Sequence, residues 1–226
     1  RLVTNPATGA TIGRVNFAST EDVQFAIQEA HQAYPDWAQT SPVKRAKILF
    51  KFKELLERHA KDLAVKITQE HGKTLEDATG SVARGIELAE HLCGIPNQLR
   101  GAYSSNVSRD VDCYNIRQPL GVCVGISPFN FPVMVPIWLF LPAIACGNTF
   151  ILKPSEQTPS APLFLAELLT EAGCPQGVIQ VLNGDKAVVD ALITHPLVQA
   201  VSAVASTPVA ESIYQTAIQH GKRAHT

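Results

Sequence analysis

The period of the hydrophobic positions changes partway along this chain. In the first third, Ala46, Leu49, Phe52, Leu56, Ala60, Leu63 and Ile67 recur at spacings of three and four, so they share one helical face. Pro42 opens that pattern and His71-Gly72 closes it, which predicts one long helix between them. Ahead of it, Thr20-Glu21-Asp22 caps a helix running to about Ala33, with acidic residues at its positive end. A third helix is expected from near Thr74 to Leu92, ending before Gly94 and Pro96. Lys51, Lys53, Glu54 and Glu57 mark a solvated outer face, so residues 1–102 read as an opening strand and turn followed by cover helices.

From Leu120 the pattern becomes short apolar runs alternating with helical stretches. Strands are predicted at 121–126, 149–152, 178–182 and 198–204. Helices are predicted at 133–146, 159–171 behind a Thr158 cap, 186–193, and 208–219 behind a Ser206-Thr207 cap. Repeated strand–helix units specify an α/β fold, a Rossmann-like doubly wound parallel sheet with helices on both faces, built by residues 119–226. Between the two regions, residues 103–118 are polar and alternating and predict a protruding β-hairpin. A hairpin outside a sheet core is marginal alone, so it is expected to pair with another chain or segment.

Composition narrows the functional classes. Hydrophobic residues make up 46% of the 226, enough for a substantial core. Nineteen basic residues nearly cancel twenty acidic ones, which argues against a nucleic-acid surface. The uncharged stretch 118–152 is interrupted by Pro119, Pro128, Pro132, Pro136 and Pro142 before it reaches the roughly 20 residues of a membrane span. Buried strand plus buried helix is the reading it supports, and no membrane partner is expected. The opening residues read as strand and turn, not as a secretory leader. Cys93, Cys113, Cys123, Cys146 and Cys174 are scattered without CxxC spacing, as expected of reduced thiols, and no histidine pair has metal-ligand spacing.

The candidate chemistry sits at predicted strand ends. Pro128-Phe129-Asn130-Phe131-Pro132 holds an amide in a stiff proline–aromatic frame, where it could stabilise a developing oxyanion. Taken alone, Asn130 could also be a turn residue bonding its own backbone. Lys153 closes the next strand and Glu156 follows three residues on, a cation and an acceptor suited to a ribose or phosphate, or a surface ion pair. Ser206-Thr207 precedes a helix and could hold a pyrophosphate on free N–H groups, or could be an ordinary cap. No GxGxxG follows any strand. Arg84, beside Gly85 on a mostly apolar helix, could bind a carboxylate bidentately or stay solvated.

Taken in order, Asn5-Pro6-Ala7-Thr8-Gly9, Gly121-Val122-Cys123, Pro128-Phe129-Asn130-Phe131-Pro132, Gly147-Asn148-Thr149 and Lys153-Pro154-Ser155-Glu156-Gln157-Thr158 resemble the amino-terminal half of the aldehyde dehydrogenase superfamily. Arg84-Gly85-Ile86-Glu87, Phe129 in place of the usual tryptophan, Asn183-Gly184 without an extended glycine loop, and His220-Gly221-Lys222-Arg223 are most similar to its methylmalonate-semialdehyde branch. The resemblance implies NAD as cofactor and coenzyme A as co-substrate, a cysteine thioester mechanism, and propionyl-CoA or acetyl-CoA as product. It implies Ser127 and Phe129 on the nicotinamide side, and Lys153, Glu156 and Gln157 at the adenosine ribose. Gly184 and Ser206 join the cofactor-binding set, Ser206 at the pyrophosphate. Asn130 becomes the oxyanion donor and Arg84 the partner of the substrate carboxylate.

The resemblance also implies a homo-oligomer, dimer or tetramer, located in the cytoplasm or, in a eukaryote, the mitochondrial matrix. Two departures accompany it. Family members are roughly twice this length, as two-domain enzymes are. The nucleophilic cysteine and the catalytic domain are therefore expected outside these residues, which alone would not turn over. The nucleotide turn carries Ala203, Ala205 and Ala210 where the family has an aromatic and two glycines, which predicts closer crowding of a phosphate. The rival expectation is a non-catalytic nucleotide-binding or interaction module that keeps the fold without the thiol.

Overall fold

The structure is a computed structural model describing residues 1–226. The chain opens with an antiparallel ribbon, β1 (Leu2–Thr4) and β2 (Thr11–Arg14). Next come α1 (Thr20–Gln39), α2 (Pro42–Arg58), α3 (Ala60–His71), α4 (Leu75–Cys93) and the single turn α5 (Ile95–Gln98). An exposed antiparallel hairpin follows, β3 (Tyr103–Ser108) and β4 (Val111–Tyr114). The remainder alternates as expected: β5 (Val122–Ile126), α6 (Met134–Ala145), β6 (Thr149–Lys153), α7 (Ser160–Glu171), β7 (Ile179–Val181), α8 (Lys186–Thr194), β8 (Val198–Ala203), α9 (Thr207–Gln219) and β9 (Arg223–His225).

Five strands form one parallel sheet in the order β7-β6-β5-β8-β9. The chain winds outward from β5 through β6 to β7, then returns to the other side of β5 for β8 and β9. This is the doubly wound topology, and its strand order reverses between β5 and β8. Alternate strand residues feed two separate cores. Val122, Val124 and Ile126 of β5 pack with Ile27 of α1, Leu192 of α8 and Ile213 of α9. Cys123 of β5 and Phe150 and Leu152 of β6 face the other way, onto Phe52 of α2, Phe140 of α6 and Leu165 of α7. No helix is long and apolar enough to cross a membrane.

Four local expectations need correction. The first helix does not stop near Ala33; it starts behind a Ser19–Asp22 capping box and continues through Pro35 to Gln39. A proline inside a helix costs roughly 3 kcal/mol, and buried Trp37 offsets it, its indole N–H donating to the Ile144 carbonyl at 3.0 Å. The single long helix predicted from Pro42 is two, broken at His59 (φ −102°, ψ 15°). The apolar stripe runs across the break without interruption, so periodicity could not reveal it. Thr158 does not cap α7; its hydroxyl donates to the Phe129 carbonyl. Strand β9 was not anticipated, because Arg223-Ala224-His225 is a mostly exposed edge.

The cap of α7 comes from far away in sequence. Glu70, at the end of α3, accepts from the Ser160 backbone N–H at 3.1 Å and from the Ser160 hydroxyl. Burial raises the Glu70 pKa, opposed by those hydrogen bonds and by Lys66. An acid whose pKa is raised on folding stabilises fully below its unfolded pKa, near 4.5, and that contribution is lost as pH rises through the folded value. Glu70→Gln is therefore expected to flatten the decline in stability between the unfolded value and the raised folded value. Urea midpoints of parent and variant from pH 4 to pH 7.5 should converge at the acid end, with the variant losing less towards neutrality; parallel profiles would contradict it.

Candidate nucleotide site at the switch point

The site grows from the register of three strands. Ile126 of β5 lies opposite Lys153 of β6 on one side and Ala203 of β8 on the other. Beyond the last paired residues, the Ser127 N–H donates to the Lys153 carbonyl at 3.2 Å, and the Val204 N–H to the Ile126 carbonyl at 3.0 Å. The loops carrying Asn130, Glu156 and Ser206 therefore all leave the same rim of the sheet, at its switch point. Open α/β sheets bind ligands there. A cavity of about 410 Å³ opens beside this rim, lined by Ile126, Lys153, Glu156, Asp185, Pro208 and Ser212 among others.

Lys153 is 7% exposed, and its ammonium donates to the Gly184 carbonyl at 3.1 Å with Glu156 at 3.9 Å. Burial lowers its pKa, while the Glu156 and Asp185 carboxylates oppose that shift. The Glu156 carboxylate also meets the Arg1 guanidinium at 2.7 Å. Ser206 is the N-cap of α9, yet its side chain makes no capping bond. Its hydroxyl stays free beside a helix N-terminus whose dipole favours an anion.

The alanines of this turn are not strained. Asn106 and Asp110, both in the hairpin, are the non-glycine residues at positive φ, so Ala205 and Ala210 sit in ordinary backbone conformations. Ala203 points into the core with Ile213 and Val201. The methyl groups add bulk at the turn without forcing the backbone.

Other predicted residues are placed differently. Ser127 is 4% exposed, and its hydroxyl has no partner. Asn130 is exposed, not buried. Phe129 is exposed and stacks on His71, with centroids 5.8 Å apart and planes at 24°. Phe129 and Gln157 line a second cavity of about 350 Å³ with Glu70 and His71, apart from the one that holds Lys153 and Glu156. Arg84 is exposed on α4 and lines neither cavity. Its neighbour Gly85 is pressed against α6: a Cβ there would lie 2.9 Å from Ile137 Cδ1. Arg84 thus lies on a helix that packs against α6, which begins at Met134.

Sequence reasoning missed Asp185 and Lys186, which line the larger cavity at the start of α8. Asp185 is the N-cap, accepting from the Ala187 N–H at 3.0 Å, and Asp after Gly184 ahead of a helical run was its signal. The thiols are unsuited to nucleophilic attack. Burial pushes Cys123 and Cys174 up to about 12 and also raises Cys93 and Cys146. Cys113 is exposed, but it lies on the hairpin strand β4. No three His, Cys, Asp or Glu residues cluster as a metal site.

A doubly wound parallel sheet with a charged cavity at its switch point defines an α/β protein of the open-sheet class, in which ligands bind at that rim. Residues 2–226 match the aldehyde dehydrogenase family, an oxidoreductase family, and the chain belongs to it. Among curated relatives, the malonate-semialdehyde dehydrogenase of Pseudomonas aeruginosa is 52% identical over 98% of this chain and 44% of its own length. The human mitochondrial acylating methylmalonate-semialdehyde/malonate-semialdehyde dehydrogenase is 42% identical over 97% of this chain and 41% of its own. A crystal structure of methylmalonate-semialdehyde dehydrogenase from Oceanimonas doudoroffii superposes with a TM-score of 0.97 at 53% identity, over 99% of this chain and 46% of that one. A Sinorhizobium meliloti structure in complex with NAD also gives 0.97, at 50% identity over the same shares. The chain thus spans under half the length of these relatives.

Proposed function

We propose that residues 1–226 form the NAD-binding half of an enzyme that oxidises malonate or methylmalonate semialdehyde to acetyl-CoA or propionyl-CoA. The observation that carries this reading is the switch-point cavity, where Lys153 and Glu156 meet at 3.9 Å beside the uncapped start of α9. The residues fit the cofactor. A lysine ammonium and a carboxylate can donate to and accept from ribose hydroxyls, with Gln157 next in the chain, and the helix N-terminus with the Ser206 hydroxyl suits a pyrophosphate. Gly184 orients Lys153 through its carbonyl. Ser127 and Phe129 lie at the adjoining strand end, on the nicotinamide side. NAD, when bound, accepts the hydride of the aldehyde carbon.

The remaining chemistry belongs to the protein. A thiolate supplied from outside these residues adds to the aldehyde, and Asn130 donates its amide N–H to the oxygen that becomes anionic. Loss of hydride from that adduct leaves a thioester. The β-carboxylate of the thioester leaves as carbon dioxide and the carbanion left behind takes a proton from solvent; coenzyme A thiol then takes the acyl group and frees the enzyme thiol. Arg84 meets that carboxylate before it is lost. The exposed β3–β4 hairpin pairs with a second copy, giving a dimer or tetramer, and the protein works in the cytoplasm or, in a eukaryote, the mitochondrial matrix.

Calorimetric titration of this chain with NAD tests the cofactor assignment. Saturable binding is expected. Lys153→Met should weaken it about 10- to 150-fold, as expected for losing about 1.5–3 kcal/mol of charged hydrogen bonding. Absence of binding by the parent chain, or equal affinity in the variant, would remove the proposal's support.

A further inference from the structure

Two aromatic rings bracket Asn130, and both are held by the same turn. Phe129 stacks on the His71 imidazole, with centroids 5.8 Å apart. Phe131 lies under the Lys73 ammonium, 4.4 Å from ring centroid to Nζ. The two pairs are in register: His71 and Lys73 flank Gly72 as Phe129 and Phe131 flank Asn130. We propose that His71 and Lys73 are positioning residues that aim the Asn130 amide at the reacting carbonyl. The proposal rests on the reading of Asn130 as oxyanion donor.

Three observations support a clamp in place of chance packing. First, Asn130 is exposed, so the direction of its Cα–Cβ bond is set by the backbone on either side and not by packing around the amide. Its backbone neighbours are tethered only at the edges, by the Thr158 hydroxyl donating to the Phe129 carbonyl and the Val135 N–H donating to the Phe131 carbonyl. Holding both flanking rings is what remains to fix the peptide between them.

Second, the clamping groups are themselves constrained. The Lys73 side chain is 8% exposed and its ammonium is paired with Asp77 at 3.3 Å, so the cation cannot swing off the ring into solvent without leaving that partner. A desolvated ammonium over a ring face is the stronger form of this contact. His71 Nδ1 is buried without a partner, so stacking and burial, not a bond to Nδ1, hold the ring plane.

Third, the turn is braced from behind. Gly72 has φ +86°, and a Cβ there would lie 2.8 Å from Pro6 Cγ. Pro6 belongs to the connection between β1 and β2, so the amino-terminal ribbon presses the α3–α4 turn against the loop that carries Asn130. Contacts thus run from the ribbon through Gly72 to two rings and then to one amide.

The test reads the order of the Asn130 backbone N–H by ¹⁵N relaxation on this chain. In the parent it should behave as rigid, with an order parameter of about 0.85, and in a His71→Ala, Lys73→Met double variant it should fall below about 0.6. His71→Phe with Lys73→Arg keeps an aromatic stack and a cation and should restore the parent value. Lys73→Met alone, similar in length, should give an intermediate loss if the double variant does not fold. An unchanged Asn130 N–H in a folded double or single variant would overturn the clamp, and so would failure of the conservative pair to restore order. Turnover of Asn130→Ala in an enzyme of full family length that contains these residues separates the two readings. Undiminished turnover with an Asn130 that responds removes the oxyanion assignment, and with it the aim of the clamp. Lost turnover with an indifferent Asn130 removes the clamp alone.

Discussion

Asn130→Ala, in an enzyme of full family length that contains these residues, is expected from the proposed oxyanion role to lower kcat about 100- to 1,000-fold. The effect should fall on kcat and on kcat/KM together, because in the proposed role the amide engages charge that exists only as the carbonyl is attacked. NAD affinity should stay within about threefold, since Asn130 does not line the cavity that holds Lys153 and Glu156. The fold should be indifferent: the side chain is exposed, and such substitutions usually change stability by about 0.5 kcal/mol or less. Asn130→Asp, similar in shape, should be at least as damaging, because it replaces a donor with a negative charge facing a developing negative charge. Steady-state kinetics with saturating NAD, alongside a urea titration, measure both halves. Wild-type kcat in Asn130→Ala would refute the assignment, while lost activity in an unfolded variant would leave Asn130→Asp as the informative protein.

Arg45→Leu is expected to cost about 3–5 kcal/mol of stability, from losing two hydrogen bonds donated by a charged group at roughly 1.5–3 kcal/mol each. Arg45 is 4% exposed, and no carboxylate is paired with it. Its guanidinium instead serves two helix ends: Nε donates to the Ala145 carbonyl at 2.8 Å, at the close of α6, and Nη1 to the Thr40 carbonyl, just beyond α1. A cation at helix C-termini is favoured by the dipole, and here it also satisfies carbonyls that have no helical partner. The packing leaves no slack. Gly147, at φ +96°, approaches so closely that a Cβ would lie 3.0 Å from Arg45 Nη1. Leucine would strand both carbonyls and leave a void. In a domain of this size the loss corresponds to a fall in Tm of about 6–20 °C. Arg45→Lys should recover only part, since a compact ammonium cannot span both acceptors as a planar fork does. A variant within 1 kcal/mol of the parent would show that these carbonyls find other donors.

The two predictions draw on different depths of the chain. Asn130 could be singled out from its proline–aromatic frame alone. The role of Arg45 could not, because its acceptors lie about 100 residues apart from one another along the chain. The same division runs through the fold. The sheet strands were readable because strands buried on both faces appear as short unbroken apolar runs, as in Val122–Ile126 and Thr149–Lys153. Edge strand β9 was not, because an exposed edge needs no apolar run. Helix starts were legible where a local side chain caps them, as Thr74 caps α4. The start of α7 was misread because its cap, Glu70, is distant in sequence.

The candidate site divides in the same way. Lys153 and Glu156 announced themselves as polar residues closing a buried strand. That Gln157, the next residue, lines a different cavity with Phe129 and His71 was invisible in the sequence. The pairing of His71 with Phe129 and of Lys73 with Phe131 was equally hidden, since neither pair has a local signature.

By itself, the order of residues determined the α/β class, the positions of the core strands, the polar residues at their tips, and the family. Tertiary structure alone decided which tips share a cavity, which distant side chains close each helix, and what holds the Asn130 loop. The reason is that periodicity records whether a residue is shielded from water, a property of its own segment. What shields it depends on chain crossings far away in sequence, and those are set by how the two cores close on the sheet.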